Sequence, residues 1–118
     1  MVKLEKREVS FSVPERNGKA NIRQSLSSLV QEMCLTDKRF GVDLASVRIA
    51  KEINTICENA KDEESFELSD SQYRIMCEVF KNPSGGYTPL IAVHTLPLIE
   101  YFLKPTAEAA AKAPGTKG

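Results

Sequence analysis

Three cysteines and one histidine are the side chains of this 118-residue chain that could act as a thiol nucleophile with its base, or bind zinc. By count alone, Cys34, Cys57, Cys77 and His94 form a Cys3His ligand set. Structural zinc sites bring their ligands together in close sequence pairs, whereas these four residues are separated by 23, 20 and 17 positions. The spacing therefore argues against a metal centre, and we expect neither a metal nor a cofactor.

A cysteine nucleophile would have to use His94 as its base, because the chain has no other histidine. Catalytic thiols lie in exposed electropositive sites, whereas Cys57 and Cys77 fall in apolar helical stripes and Cys34 follows Met33 at a predicted helix end. His94 lies in the most apolar segment, which is typical of a core or interface histidine. We therefore predict that the protein is not an enzyme, and keep a cysteine-dependent enzyme as the third hypothesis.

Two other polar segments give weak signals. The acidic run at residues 62–64 lacks the apolar surroundings that would raise a carboxylate pKa, so it is typical of a solvated surface. Residues 84–88 offer two glycines without the lysine of a phosphate-binding loop, so they favour a flexible connector.

Charge is distributed unevenly, although 16 basic and 16 acidic residues cancel. Residues 1–51 carry 10 basic and 6 acidic side chains, and the remainder carries 6 and 10, so the halves have net charges of +4 and −4. Surface charges can segregate in this way by chance; the functional interpretations are head-to-tail packing of copies or a basic arm that contacts nucleic acid. The candidate nucleic-acid contacts are Lys3, Lys6, Arg7, Arg16, Lys19 and Arg23. Only Phe11 and Phe40 could stack on bases in the basic half, which weakens that hypothesis.

The N-terminal region predicts a half-buried strand over residues 6–13, in which Val9, Phe11 and Val13 share one face. Pro14 is expected to end the strand, and Asn17-Gly18 supplies a turn. In an alternative interpretation this Asn-Gly centres a hairpin whose second strand runs through residues 20–22.

Helical periodicity is predicted from residue 20 onward. The first apolar stripe comprises Ile22, Leu26, Leu29, Val30 and Met33. A second helix, capped by Asp43, has the stripe Leu44, Val47, Ala50, Ile53, Cys57 and Ala60, with Arg48 and Glu52 paired on its wet face.

The second half of the chain predicts a short strand at residues 66–68, which could pair with the strand at 6–13. Ser69 and Gln72 form a capping box for a third helix, whose buried face is Tyr73, Met76, Cys77 and Phe80. A fourth helical segment opens at Thr88-Pro89, and Thr95 is expected to start a separate helix because Pro97 would break a continuous one.

These elements predict an α-dominated α+β domain with an N-terminal strand, four to five short helices and a small sheet. We divide it into an N-terminal strand or arm (1–18), a helical core (19–104) and a flexible tail rich in Ala, Lys, Pro and Gly (105–118).

The free cysteines and the charged N-terminus favour a cytoplasmic protein. The longest apolar stretch, residues 89–103, is too short to span a bilayer ~30 Å thick, so we expect no membrane association.

Residues 87–103 carry more apolar side chains than two short helices can bury, which predicts a contact with a protein partner or a second copy. The alternative is that the break at Pro97 lets the two halves fold back and bury all of these side chains within the chain. The expected interface residues are Ile99, Phe102 and Leu103. The leading hypothesis is therefore a non-catalytic protein-interaction module, such as an assembly factor, inhibitor or adaptor of the kind found among phage and accessory proteins. The alternative is a small nucleic-acid-associated regulator that uses the basic N-terminal arm.

Overall fold

The computed structural model describes residues 1–112, with side chains described as far as Lys104. The strands are β1 (Val2–Glu5), β2 (Glu8–Glu15), β3 (Gly18–Ser25) and β4 (Ser65–Leu68). The helices are α1 (Leu26–Thr36), a 3-10 helix (Lys38–Gly41), α2 (Leu44–Asn59), α3 (Asp70–Lys81) and α4 (Pro89–Lys112). Two antiparallel two-stranded sheets, β1–β4 and β2–β3, accompany the helices in this part of the chain. The predicted α-dominated α+β class is confirmed.

Strands β2 and β3 form a hairpin in which Phe11 lies opposite Ile22. The two strands are joined by Arg16 and Asn17. Gly18 follows with a backbone φ of +134°, which residues other than glycine rarely adopt. The hairpin that we kept as an alternative is therefore the structure that forms.

Two expectations for this region are wrong. Pro14 does not end the strand but pairs with Lys19 within the hairpin, at a strand position where a missing N–H is tolerated if it faces away from the partner. The first helix begins at Leu26 and not at residue 20, because Ser25 is its N-cap and accepts a hydrogen bond from the Ser28 amide at 3.2 Å.

The other sheet joins the N-terminus to the middle of the chain. Leu4 of β1 lies opposite Phe66 of β4, and the Lys6 amide donates to the Glu64 carbonyl at 2.8 Å. The strand at residues 66–68 is thus present, but its partner is β1 and not the predicted strand at residues 6–13, most of which pairs with β3. Both strands of residues 1–18 are paired, so this segment does not project as an arm.

A single core lies between α1, α2, α3 and α4 and is closed by Leu4 and Leu68. The N-caps match the sequence: the Asp43 carboxylate accepts from the Ser46 amide at 2.8 Å, and Ser69 and Gln72 form the capping box. The predicted buried face of α3 is confirmed. On α2 the stripe is buried only from Ala50 onward, since Leu44 and Val47 are exposed.

A buried carboxylate ties two connections together. The Asp37 side chain accepts from the Arg39 guanidinium at 2.8 Å and from the Ser84 amide at 2.8 Å. Burial alone would raise the pKa of Asp37, but hydrogen bonds from Ser84 and Arg39 outweigh it and hold the pKa below its usual range. The α1–α2 connection is thereby fixed to the α3–α4 connection.

Helix α4 continues through Pro97, so the prediction of two separate helices is wrong. An interior proline costs about 3 kcal/mol or more. Here Thr95 on one side of Pro97 and Leu98 on the other are buried, which holds both halves against the core. Of the predicted flexible tail, residues 105–112 continue the α4 backbone and residues 113–118 lie outside the described residues.

Candidate interaction surface on helix α4

Helix α4 begins after a glycine-containing connection. Gly86 has a φ of +69°, which permits the turn that leads into the helix. The Thr88 carbonyl accepts from the amides of Ile91 and Ala92 at 3.0 and 2.8 Å, closing the first turn. The Tyr87 hydroxyl donates to the Phe80 carbonyl at 2.6 Å, and burial raises the pKa of this phenol. The start of α4 is therefore anchored to the end of α3.

The inner face of α4 belongs to the core. The Phe102 ring lies 5.0 Å from that of Tyr73 and 4.8 Å from that of Phe80, and the Tyr73 hydroxyl donates to the Phe102 carbonyl at 2.6 Å. Ile99 and Phe102, expected at an interface, are 6% and 0% exposed. Neither side chain can carry the contact that we assigned to it, because the chain's own core already covers it.

One side of α4 is held by the N-terminal strands. His94 stacks on Phe11 of β2, with ring centroids 4.6 Å apart and planes at 10°. The Arg7 guanidinium lies 4.0 Å from the centre of the Tyr101 ring, and the Glu5 amide donates to the Tyr101 hydroxyl at 2.9 Å. His94 is exposed, with the hairpin as its neighbour, and does not lie in the core. These contacts fix the orientation of α4.

Leu103, the third expected interface residue, is half-buried. It lines an open cleft of about 550 Å³ together with Arg7, Glu100, Tyr101 and Lys104. The cleft mixes both charge signs and has no buried polar group awaiting a partner, since every buried side-chain polar atom of the described residues is hydrogen bonded. The cleft is therefore a weaker candidate for an interaction surface than the outer face of α4.

The outer face of α4 is apolar and exposed. Leu90, Val93 and Leu96 are 52%, 63% and 46% exposed and follow one another at three-residue spacing. We call these three residues the α4 stripe. Surplus apolar surface was expected in this segment, but on other residues, because a break at Pro97 would change which positions share a face. A helical wheel drawn without that break separates the stripe from Phe102.

The six candidate nucleic-acid contacts do not form one basic surface. Lys3 lies opposite Glu67 in the β1–β4 sheet, and the Arg23 guanidinium pairs with the Glu8 carboxylate at 2.8 Å. Lys6 and Arg7 lie in the β1–β2 connection, Arg16 in the hairpin turn and Lys19 at the start of β3. The cations are thus divided among β1, the β1–β2 connection and the hairpin.

The cysteines are free and buried. Burial raises the pKa of the Cys34 thiol to about 11 and that of Cys57 to about 12. Such thiols are protonated at neutral pH and are poor nucleophiles. Within residues 1–104 no three His, Cys, Asp or Glu side chains are grouped so as to hold a metal ion.

None of the helices in the described part of the chain combines the length and apolar character needed to cross a membrane. No protein-family model matches the chain, and neither a curated protein nor a solved structure is significantly similar to it.

Proposed function

We propose that this protein is a non-catalytic protein-interaction module that self-associates through the α4 stripe. The observation that carries the proposal is a row of exposed Leu90, Val93 and Leu96 on a helix whose other faces are fixed by the core and the hairpin. A rigid apolar surface loses little conformational entropy on binding, so burial of its side chains translates more directly into affinity.

The stripe suits a second copy of the same chain. A two-fold contact brings the same surface of both copies together, so the surface must be complementary to itself. No Asp, Glu, Lys or Arg occurs between Lys81 and Glu100. Two α4 helices packed antiparallel about Val93 would place each Leu90 opposite the partner's Leu96, with no charge removed from water.

Charges at the two ends of the stripe favour the same arrangement. Helix α4 has no acidic residue in its first turn, where unpaired backbone N–H groups create a partial positive charge. Glu100 is exposed and lies seven residues after Val93, on the side of the helix that carries the stripe. In the antiparallel pair Glu100 lies opposite Gly86, within one turn of the other copy's helix start. Each copy would thus supply the carboxylate that the other lacks.

The test is the oligomeric state, measured by light scattering during size-exclusion chromatography over a range of protein concentrations. We expect the wild type to form a dimer that dissociates on dilution. Val93→Asp should be a monomer with an unchanged circular dichroism spectrum, because the Val93 side chain is 63% exposed and the new carboxylate can reach solvent. Val42→Asp, which places the same charge at an exposed valine outside the stripe, should remain dimeric. A wild type that stays monomeric at every concentration, or a dimeric Val93→Asp, would refute the proposal.

A further inference from the structure

A second exposed apolar surface lies where α1 ends and α2 begins. Leu35, Val42, Leu44 and Val47 are 58%, 72%, 64% and 48% exposed. Val42 and Val47 occupy the positions before the Asp43 cap and in the second helical turn, which commonly pack against each other at a helix start. In this structure Val42 is largely exposed and Val47 about half exposed.

The antiparallel packing of α1 and α2 makes these residues one surface. The Gln31 side-chain amide donates to the Asn54 side chain at 2.7 Å. Leu35 lies one turn beyond Gln31 on α1, and Lys51 and Val47 lie one and two turns before Asn54 on α2. Because the helices run in opposite directions, a turn forward on α1 and one or two turns back on α2 lead towards the same end of the helix pair. This geometry places Leu35 on the side of the pair that carries Lys51 and Val47. We call Leu35, Val42, Leu44, Val47, Arg48 and Lys51 the α2 patch.

The charge of this patch is positive. Arg48 and Lys51 are exposed and form no ion pair with the described residues. Glu52 is four residues from Arg48, but the pair expected from the sequence is not among the ion pairs of the described residues. The Glu52 carboxylate instead accepts from the Gln72 side-chain amide at 3.4 Å. The neighbouring Asp43 carboxylate is occupied by its capping bonds to Ser46. Two cations are therefore available beside an apolar surface.

We propose that the α2 patch binds an acidic amphipathic helix of a partner protein. A helix with apolar side chains at three- and four-residue spacing can cover Leu44 and Val47 while glutamates on its flanks meet Arg48 and Lys51. Complementary charges at the rim of an apolar contact accelerate association and exclude partners of the wrong sign. The α2 patch differs from the α4 stripe in residues and in charge, so this binding does not depend on self-association.

A protein helix fits this surface better than an anionic lipid surface does. An amphipathic helix that binds anionic membranes carries its basic residues along the whole polar face. The exposed face of α2 instead continues from Lys51 to Thr55 and then to Glu58, whose carboxylate an anionic lipid would repel. The basic and apolar character is confined to the first two turns.

The experiment is a fluorescence anisotropy titration with a labelled helical peptide that has leucine at every third or fourth position and glutamate on both flanks. The protein titrated, called the host below, is the Val93→Asp variant, so that self-association does not contribute to the anisotropy change. We expect saturable binding that weakens with salt, and binding weaker by ~10-fold or more in R48E/K51E. R16E/K19E, which makes the same charge change at the hairpin turn, should bind like the host.

Two control ligands distinguish an acidic helix from a basic helix and from an anionic membrane. The same peptide with lysine in place of glutamate should not bind, and vesicles of phosphatidylcholine and phosphatidylserine should not sediment with the protein. The proposal is overturned if the glutamate peptide does not bind, if R48E/K51E binds it as well as the host does, or if only the vesicles bind. Circular dichroism of each variant verifies that the fold is intact.

Discussion

The two faces of helix α4 carry side chains of the same type and have opposite roles. Phe102 on the inner face lies against the rings of Tyr73 and Phe80 and is wholly buried, whereas Val93 on the outer face is 63% exposed. Both faces carry large apolar side chains, so hydrophobicity alone does not distinguish core from binding surface. Whether a residue belongs to the core or to the exposed surface depends on the direction in which its side chain points. That direction depends in turn on whether the helix is continuous.

The largest effect that tests this comparison is expected on the inner face. Phe102→Ala should lower the free energy of unfolding by about 3–5 kcal/mol, because it removes a ring from the centre of the core and leaves a cavity. Urea unfolding followed by circular dichroism measures it. A loss below about 1 kcal/mol would mean that the inner face is loosely packed and that the two faces of α4 are not distinct.

A smaller effect is expected at the buried thiols of α1 and α2. Cys57→Ala should cost about 1–3 kcal/mol through lost packing and should leave binding unchanged. The folded state raises the pKa of the Cys34 and Cys57 thiols, so above pH ~9 the unfolded chain loses protons that the folded chain keeps. Stability should therefore fall as pH rises from ~9 towards 11 and 12.

This alkaline loss is measured as the change in urea midpoint between pH 7 and pH 10. It should be smaller in Cys57→Ala than in the wild type, since one shifted group has been removed. Equal losses in both proteins, or rapid reaction of the folded protein with a thiol reagent at pH 7, would contradict the burial of these thiols.

The smallest effect on stability is expected on the outer face. Val93→Ser should change the free energy of unfolding of the monomer by less than about 0.5 kcal/mol, because most of the side chain is exposed to solvent. The same substitution should weaken self-association, measured by light scattering. A large loss of monomer stability together with unchanged association would show that Val93 is a core residue.

Features determined by neighbouring residues could be predicted from the sequence. The capping box of Ser69 and Gln72 and the Asp43 cap are contacts within three residues, and both were correctly predicted. The start of the first helix was missed because residues 20–25 fit both a helix and the return strand of a hairpin. A local pattern could not choose between them, since the choice depends on pairing with residues 8–15.

The position of the candidate site could be predicted only in part from the sequence, because it too depends on contacts with distant residues. Residues 87–103 were identified as holding surplus apolar surface, which the exposed α4 stripe agrees with. The individual residues were assigned incorrectly because Pro97 was expected to end the helix. Local propensity favours that break, whereas the burial of Leu98, Ile99 and Phe102 against distant parts of the chain keeps the helix continuous.

The pairing of β1 with β4 has a consequence for the order in which the chain folds during synthesis. The hairpin needs only residues 8–25, but Leu4 must wait for Phe66, 62 positions later. At ribosomal rates of ~5–20 residues per second, β1 stays unpaired for several seconds. During this time Leu4, which is buried in the folded protein, is exposed to water. Lys3 and Glu5 flank Leu4, and charges on a waiting strand discourage pairing with a neighbouring nascent chain. Strand β1 is thus synthesised before the hairpin but joins the folded structure after it.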